Sequence, residues 1–354
     1  MKEALFNLDS GEDTVSIVDS PIPKPNATQV VIKVEAAGMN PKDFKHKGHG
    51  PHNQGDDIAG YVESVGEKVT EFKKGDRVAA FHEMGTKGGA YAEYAVAWAH
   101  TTFHIPKSTG FEEAATIPLS AMTSALGLYQ ELRLPLPWLP ATEPTPLIVY
   151  GGSSGVGAFA IKLAALSNIH PIIAVAGSGK PFVESLIDSS KGDVVLDYRE
   201  GDEALISKIK EAAKGRKIEY AYDAISEHNS YVNIGKVLDQ QTGAITTILP
   251  GKKYEGVPSS IRFTETYVGS VHGGFEPRNF VTKQVGKIGD REFGAAFYRF
   301  FGQGLLDGWF SGHPVKIVEG GLEGLQGALR DLKAGKVSSF KYVARLGDTP
   351  GVGK

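Results

Sequence analysis

The chain has 354 residues, with 38 lysines and arginines against 41 aspartates and glutamates, a net charge of −3, and no cysteine. That length suits about two domains, and a hydrophobic share of 41% is too high for a disordered chain. The charge balance offers no positive field for nucleic acid or an anionic membrane, and the lack of cysteine excludes disulfides, thiolate nucleophiles, iron–sulfur clusters and Cys-ligated zinc.

No apolar run approaches the ~18 residues of a membrane span. The start, Met1 to Phe6, has no long apolar stretch of the signal-peptide kind, so a cytoplasmic setting is expected. Glycine is the outlier: 44 copies without a collagen period, about 12% against a usual ~7%. They read as turns and close backbone approaches.

The first ~115 residues read as short strands and turns. Val30-Val31-Ile32-Lys33-Val34 is rich in β-branched residues, and Ile58 to Val65 and Arg77 to Phe81 continue the pattern. Gly66 and Lys74-Gly75-Asp76 separate them. This spacing predicts a small β-barrel. Five prolines between Leu132 and Leu147 exclude a regular helix or central strand there.

The middle changes period. Leu147 to Tyr150 is an apolar strand, followed by a glycine turn and a helix with Val156, Phe159, Ala160, Leu163 and Ala164 on one face. Strands over 171–176, 193–197 and 220–224 then alternate with helices over 181–187 and 202–214. Such alternation predicts a doubly wound parallel sheet. The stretch Gly243 to Leu249 reads as a further strand, with an edge or a covered position both open. Near the end, 322–334 has helical spacing, Tyr342 to Ala344 reads as a strand, and the tail from Gly347 reads as frayed.

The turn itself is Gly151-Gly152-Ser153-Ser154-Gly155-Val156-Gly157. Glycines let a backbone approach a pyrophosphate, and the following helix N-terminus supplies N–H groups and a positive dipole end. A dinucleotide site is expected at Gly152, Ser153, Ser154, Gly155, Val156 and Gly157. NAD sites usually carry an acid after the second strand, for the ribose 2′-hydroxyl. Here that segment is Ala176-Gly177-Ser178-Gly179-Lys180, without an acid. Ser178 and Lys180 suit a 2′-phosphate instead, so NADPH is the expected cofactor.

Asp57 to Gly66 with Phe72 to Val78 resembles the N-terminal signature of medium-chain dehydrogenases/reductases. Gly38-Met39-Asn40-Pro41-Lys42-Asp43, Gly89-Ala90-Tyr91-Ala92-Glu93-Tyr94, the 151–157 loop and Asp197-Tyr198-Arg199 resemble their quinone oxidoreductase and enoyl reductase branch. The proline segment and the stretch from Pro314 to Ala344 are most similar to fungal trans-acting enoyl reductases and their toxin-cluster relatives. The resemblance implies an α/β fold: a GroES-like β-barrel catalytic domain and a doubly wound Rossmann domain binding NADPH, with the active site in the cleft. The boundaries expected are 1–120 and 276–354 for the catalytic domain and 121–275 for the Rossmann domain. The resemblance also implies roles. Asn40, Pro41, Lys42 and Asp43 would line the nicotinamide, Ser178, Lys180 and Tyr198 would surround the 2′-phosphate, and Thr123, Leu249, Val271 and His272 would flank nicotinamide and substrate.

Zinc-dependent members of that family use Cys and Gly-His-Glu ligands, whereas this chain has Pro-His-Asn-Gln-Gly-Asp-Asp at 51–57. No metal is expected. His46, His49 and His52 are evenly spaced, but Gly48, Gly50 and Pro51 oppose a helical face that would gather them. Without a Lewis acid, reduction of an activated C=C bond is less demanding than reduction of a ketone. Hydride goes to the β-carbon, donors stabilise the enolate oxygen, and a proton reaches the α-carbon. Lys42, His272 and backbone N–H groups are the candidate donors, and the sequence does not choose among them.

The expected function is an NADPH-dependent enoyl reductase of fungal secondary metabolism. Its substrate would be a small molecule or a carrier-bound enoyl chain, with a polyketide synthase as the partner in the second case. An NADPH quinone oxidoreductase or aldehyde reductase shares every motif, and a non-enzymatic NADPH-binding protein is the reading from another class. Monomer and homodimer both stand open.

Overall fold

The computed structural model describes residues 1–9, 13–45, 50–273 and 289–352. Its contacts divide the chain into two units. One holds Met1–Leu119, Arg291–Lys354 and a short segment from Val271, and the other is built on Ser120–Ser270.

The first unit is organised by the strand Gln29–Gly38, whose β-branched run is buried on both faces at Val30, Val31 and Ile32. On one side it pairs antiparallel with Asp57–Val65. Its other side is shared. Residues 29–33 pair with Tyr94–Trp98, and residues 36–38 pair with Lys341–Arg345 from the far end of the chain. The sheet continues from Asp57–Val65 through Arg77–Phe81 to Thr102–His104 and is closed at its other edge by Val315–Val318. A separate hairpin pairs Lys2–Asn7 with Thr14–Asp19.

Val315–Val318 and Lys341–Arg345 run parallel, so the chain must cross between them, and the helix Leu325–Lys333 lies in that crossing. It buries Leu325, Ala328 and Leu329 in the same hydrophobic core as Phe6, Ile32 and Leu322, each buried leucine contributing about 2 kcal/mol.

The second unit is a six-stranded, all-parallel sheet. Its spatial order is Val194–Asp197, Ile172–Ala176, Leu147–Tyr150, Tyr220–Asp223, Ala244–Thr247, Arg262–Glu265. By chain order this is 3-2-1-4-5-6, the doubly wound arrangement that binds dinucleotides where the order reverses. Ile148, Ile173, Val175, Ala221 and Ile245 are fully buried in it, as expected for strands covered on both faces.

The barrel-type sheet, the parallel sheet and the irregular proline segment follow the sequence reading. Ala244–Thr247 is an inner strand, and the edge is Arg262–Glu265, a strand the periodicity did not reveal. The helix Lys180–Glu184 is shorter than expected. The helical stretches not anticipated include Pro118–Ala125, continued by a wider π-type turn at Leu126–Glu131, the short helix Ser230–Gly235 and the 18-residue helix Asp290–Asp307. The tail is not frayed as far as it is described. Thr349 is buried, and its hydroxyl accepts the Leu322 N–H at 2.9 Å. Among the described residues no helix is long and apolar enough to cross a membrane.

Candidate active site

In the second unit the glycine turn begins at Gly151, with φ of +82°. The N–H groups of Gly151 and Gly152 both donate to the Val175 carbonyl at 2.9 Å, fastening the turn to the neighbouring strand. Ser154 caps the helix Gly155–Leu166, its hydroxyl accepting the Gly157 N–H at 3.0 Å. A Cβ at Gly157 would stand 2.1 Å from the Gly151 carbonyl oxygen. Only glycine permits this closure, which leaves the first helical N–H groups turned toward the C-terminal end of the sheet. Ser153, Ser154, Gly155 and Val156 are half-buried, Gly152 and Gly157 buried. The turn therefore fits a pyrophosphate.

At the end of the second strand, Ser178 is exposed and Lys180 half-buried, with its ammonium 3.8 Å from Glu184. The Tyr198 ring lies over Gly177, where a Cβ would meet it at 2.7 Å. So Ser178, Lys180 and Tyr198 gather at the ends of the second and third strands. Arg199 binds the Asp197 carboxylate there through Nε at 2.9 and 3.1 Å, holding that acid down to about 2. No carboxylate follows the second strand at the position where a ribose 2′-hydroxyl would need one.

Where the strand order reverses, Asp223 ends the fourth strand fully buried. It accepts the N–H groups of Ile225 and Ser226 at 3.0 and 2.9 Å and the Ser230 hydroxyl at 2.6 Å. Burial pushes its carboxyl up to about 6 despite these bonds. Leu249 is half-buried just past the fifth strand, and its carbonyl accepts the Tyr254 hydroxyl at 2.7 Å. The Thr123 carbonyl accepts the Tyr222 hydroxyl at 2.8 Å.

In the first unit Asn40, Pro41, Lys42 and Asp43 form a turn leading into the short helix Lys42–Lys45. The Asn40 N–H is capped by Asp43 Oδ2 at 2.8 Å, and its Nδ2 donates to Asp57 Oδ2 at 2.8 Å. Lys42 Nζ donates to the Gln54 carbonyl at 2.5 Å and pairs with Asp56 at 2.5 Å and Asp43 at 3.1 Å. The Tyr91 hydroxyl donates to Asp43 at 2.6 Å. Lys341 reaches Asp57 and, at 3.0 Å, Asn40 Oδ1. Burial alone would lower the Lys42 ammonium, but Asp56 and Asp43 outweigh it and hold it above its ordinary value. Burial raises Asp43, opposed by Lys42.

Val271 and His272 also fall in this unit. The Val271 carbonyl accepts from His100 at 3.0 Å, and the His272 ring lies 4.5 Å from that of Phe81. Burial takes His100 down to about 4, so it donates as a neutral imidazole. Of the three spaced histidines, His46 and His49 lie outside the described residues. His52 Nδ1 lies 3.0 Å from the Gly50 carbonyl. Among the described residues no group of three or more His, Asp or Glu is placed to hold a metal ion.

The sequence reading did not single out Asp56, Asp223 or Lys341. Two adjacent acids opening an apolar strand, Asp56 and Asp57, were the available signal for a buried ionic cluster. Lys341 carries no local signal at all.

Residues 26–107 match the alcohol dehydrogenase GroES-like domain. The trans-enoyl reductase fsr4 of Gibberella fujikuroi is 47% identical over 330 residues, 92% of each chain. The chain belongs to the medium-chain dehydrogenase/reductase family, among its trans-enoyl reductases. Solved structures of the same fold include the enoyl reductase CurK, with a TM-score of 0.73 at 18% identity over 97% of this chain and 99% of that one. A mycobacterial protein solved in complex with NADPH has a TM-score of 0.70 at 21% identity over 97% and 99%. This family member thus pairs a GroES-like unit with a dinucleotide-type sheet.

Proposed function

We propose that this family member is an NADPH-dependent enoyl reductase of fungal secondary metabolism. It reduces the C=C bond of an α,β-unsaturated thioester carried by a polyketide synthase. The 47% identity to a trans-enoyl reductase over 92% of the chain carries the reading.

The choice of NADPH is supported by Ser178, Lys180 and Tyr198 at the second and third strand ends, with no acid after the second strand. Gly152 to Gly157 would hold the pyrophosphate, and Thr123, Leu249 and Val271 would flank the nicotinamide. Bound there, NADPH supplies the hydride.

The protein's share is orientation and proton supply. Asn40, Pro41 and Asp43 make a rigid wall, since each polar atom of Asn40 described above is bound to a buried partner. A rigid wall restricts the substrate to a reactive geometry without reorganisation. Lys42 is the first candidate to protonate the α-carbon, and its raised ammonium is fully charged at neutral pH. His272 is the second.

The test is oxidation of NADPH and NADH by the purified protein with enoyl thioesters, quinones and aldehydes. Turnover of enoyl thioesters with a clear preference for NADPH supports the proposal. Turnover confined to quinones or aldehydes replaces it with a detoxifying reductase.

A further inference from the structure

The network around Asn40 buries three carboxylates, Asp43, Asp56 and Asp57, all at 1% exposure or less. Among the described residues two ammonium groups, Lys42 and Lys341, reach them. Counted over the described residues, the cluster is one positive charge short. An uncompensated buried charge is costly, and the usual relief is to keep a proton.

The bonds decide where that proton sits. Asp57 accepts the Leu119 N–H at 2.6 Å, Asn40 Nδ2 at 2.8 Å and Lys341. Asp43 accepts the Asn40 N–H, the Tyr91 hydroxyl and Lys42. Among the described residues the Asp56 carboxyl is met by Lys42 alone, at 2.5 Å. Asp56 is therefore the least supported anion of the three. Burial pushes it up to about 7, opposed by Lys42 and helped by the charges of Asp43 and Asp57.

Burial raises the Asp43 carboxyl as well, but three donors support it as an anion against one for Asp56, and the remaining ionisable groups packed here do not compete for the proton. Burial and Asp43 hold the Tyr91 hydroxyl well above its ordinary value. The His82 backbone N–H donates to the Asp56 backbone carbonyl at 2.8 Å, while its imidazole, held below its ordinary value by burial, faces Val96 and Thr86 instead. Of the two ammonium groups, Lys42 has the more open side chain, 14% against 6% for Lys341.

We infer that Asp56 is the proton store of the reduction, acting through Lys42. The inference rests on the proposed reductase function. Once the β-carbon has gained hydride, the substrate carries an electron pair as an enolate. A C–H bond forms at the α-carbon as an N–H bond of Lys42 breaks, leaving a neutral amine and restoring the carbonyl. The O–H bond of Asp56 then breaks, an N–H bond re-forms, and the carboxylate takes a proton from water between turnovers. Asp56 is thus a positioning residue, since it does not touch substrate. A store that ionises near working pH suits this relay.

The test combines infrared titration of carboxyl groups with pH profiles of kcat for the wild type, Asp56→Asn and Asp56→Glu. In the wild type a buried carboxylic acid band should fade around pH 7, the value to which Asp56 is pushed. It should be missing in Asp56→Asn. That variant should lose at least about ten-fold in kcat with KM little changed, and lose the pH break. Asp56→Glu should restore the break. A folded Asp56→Asn protein with wild-type kcat and the same pH break overturns the inference. If Asp56→Asn does not fold, a wild-type spectrum with no carboxyl titrating near pH 7 overturns it alone. If the wild type reduces no enoyl thioester, the function fails and the relay with it, while the titrating band still reports whether the buried acid exists.

Discussion

Replacing Lys341 by methionine tests the link between the two ends of the chain in the first unit. The Lys341 ammonium bonds Asp57, with Asn40 Oδ1 at 3.0 Å and the Thr116 carbonyl at 3.4 Å. Methionine keeps the length and the burial but not the charge. Asp57 would retain the Leu119 N–H and Asn40 Nδ2 and lose its cation. Breaking one partner of a buried pair costs about 3–5 kcal/mol. The loss should therefore be about 4 kcal/mol. Urea unfolding followed by tryptophan fluorescence at neutral pH measures it. Hydrogen exchange in Gln29–Gly38 should rise in parallel, because Lys341–Arg345 pairs with that strand. Adding Asp57→Asn should recover much of the loss. A loss below about 1 kcal/mol at pH 7, or a double variant no more stable than the single one, would refute the reasoning.

Lys180→Ala should raise KM for NADPH about ten-fold and leave KM for NADH little changed, because a charge-assisted bond to the 2′-phosphate is lost; parallel kinetics with the two cofactors check this. Gly157→Ala should abolish NADPH binding measured by fluorescence titration, since its Cβ would meet the Gly151 carbonyl oxygen at 2.1 Å and force the turn open. Asp223 is raised to about 6 in the folded protein, so the native state holds that proton more tightly than the unfolded chain. Its contribution is thus greatest below the ordinary aspartate range and falls as pH rises to about 6, by roughly 3 kcal/mol at most. Thermal melts across that range should show the fall, and Asp223→Asn should flatten it.

The glycine turn of the second unit was legible because its signals are local. A short apolar strand, a glycine turn and a helix with one apolar face occupy 147–166 without interruption. The missing acid after Ala176 needed no structure either. The polar cluster of the first unit was legible only in part. Asn40 to Asp43 stood out as a motif, but the partners that give them meaning lie far away: Tyr91 is 48 residues from Asp43, and Lys341 is 284 from Asp57. Ion pairs at such separations leave no periodic trace.

The helix Asp290–Asp307 was hidden for a different reason. Gly294, Gly302 and Gly304 lower its helix propensity. At Gly302 a Cβ would stand 2.9 Å from the His104 carbonyl, so packing selects the glycine there. Arg262–Glu265 escaped notice because an edge strand with half-exposed residues lacks the apolar run of its inner neighbours.

The central claim, reduction of an enoyl thioester by hydride from NADPH, is tested most directly by isotope position. The protein is given an enoyl thioester and NADPH deuterated at the transferable position, and the product is analysed by NMR. One deuterium at the β-carbon and a solvent-derived hydrogen at the α-carbon are expected. Deuterium at the carbonyl carbon, or no label in any product despite bound cofactor, would contradict the claim.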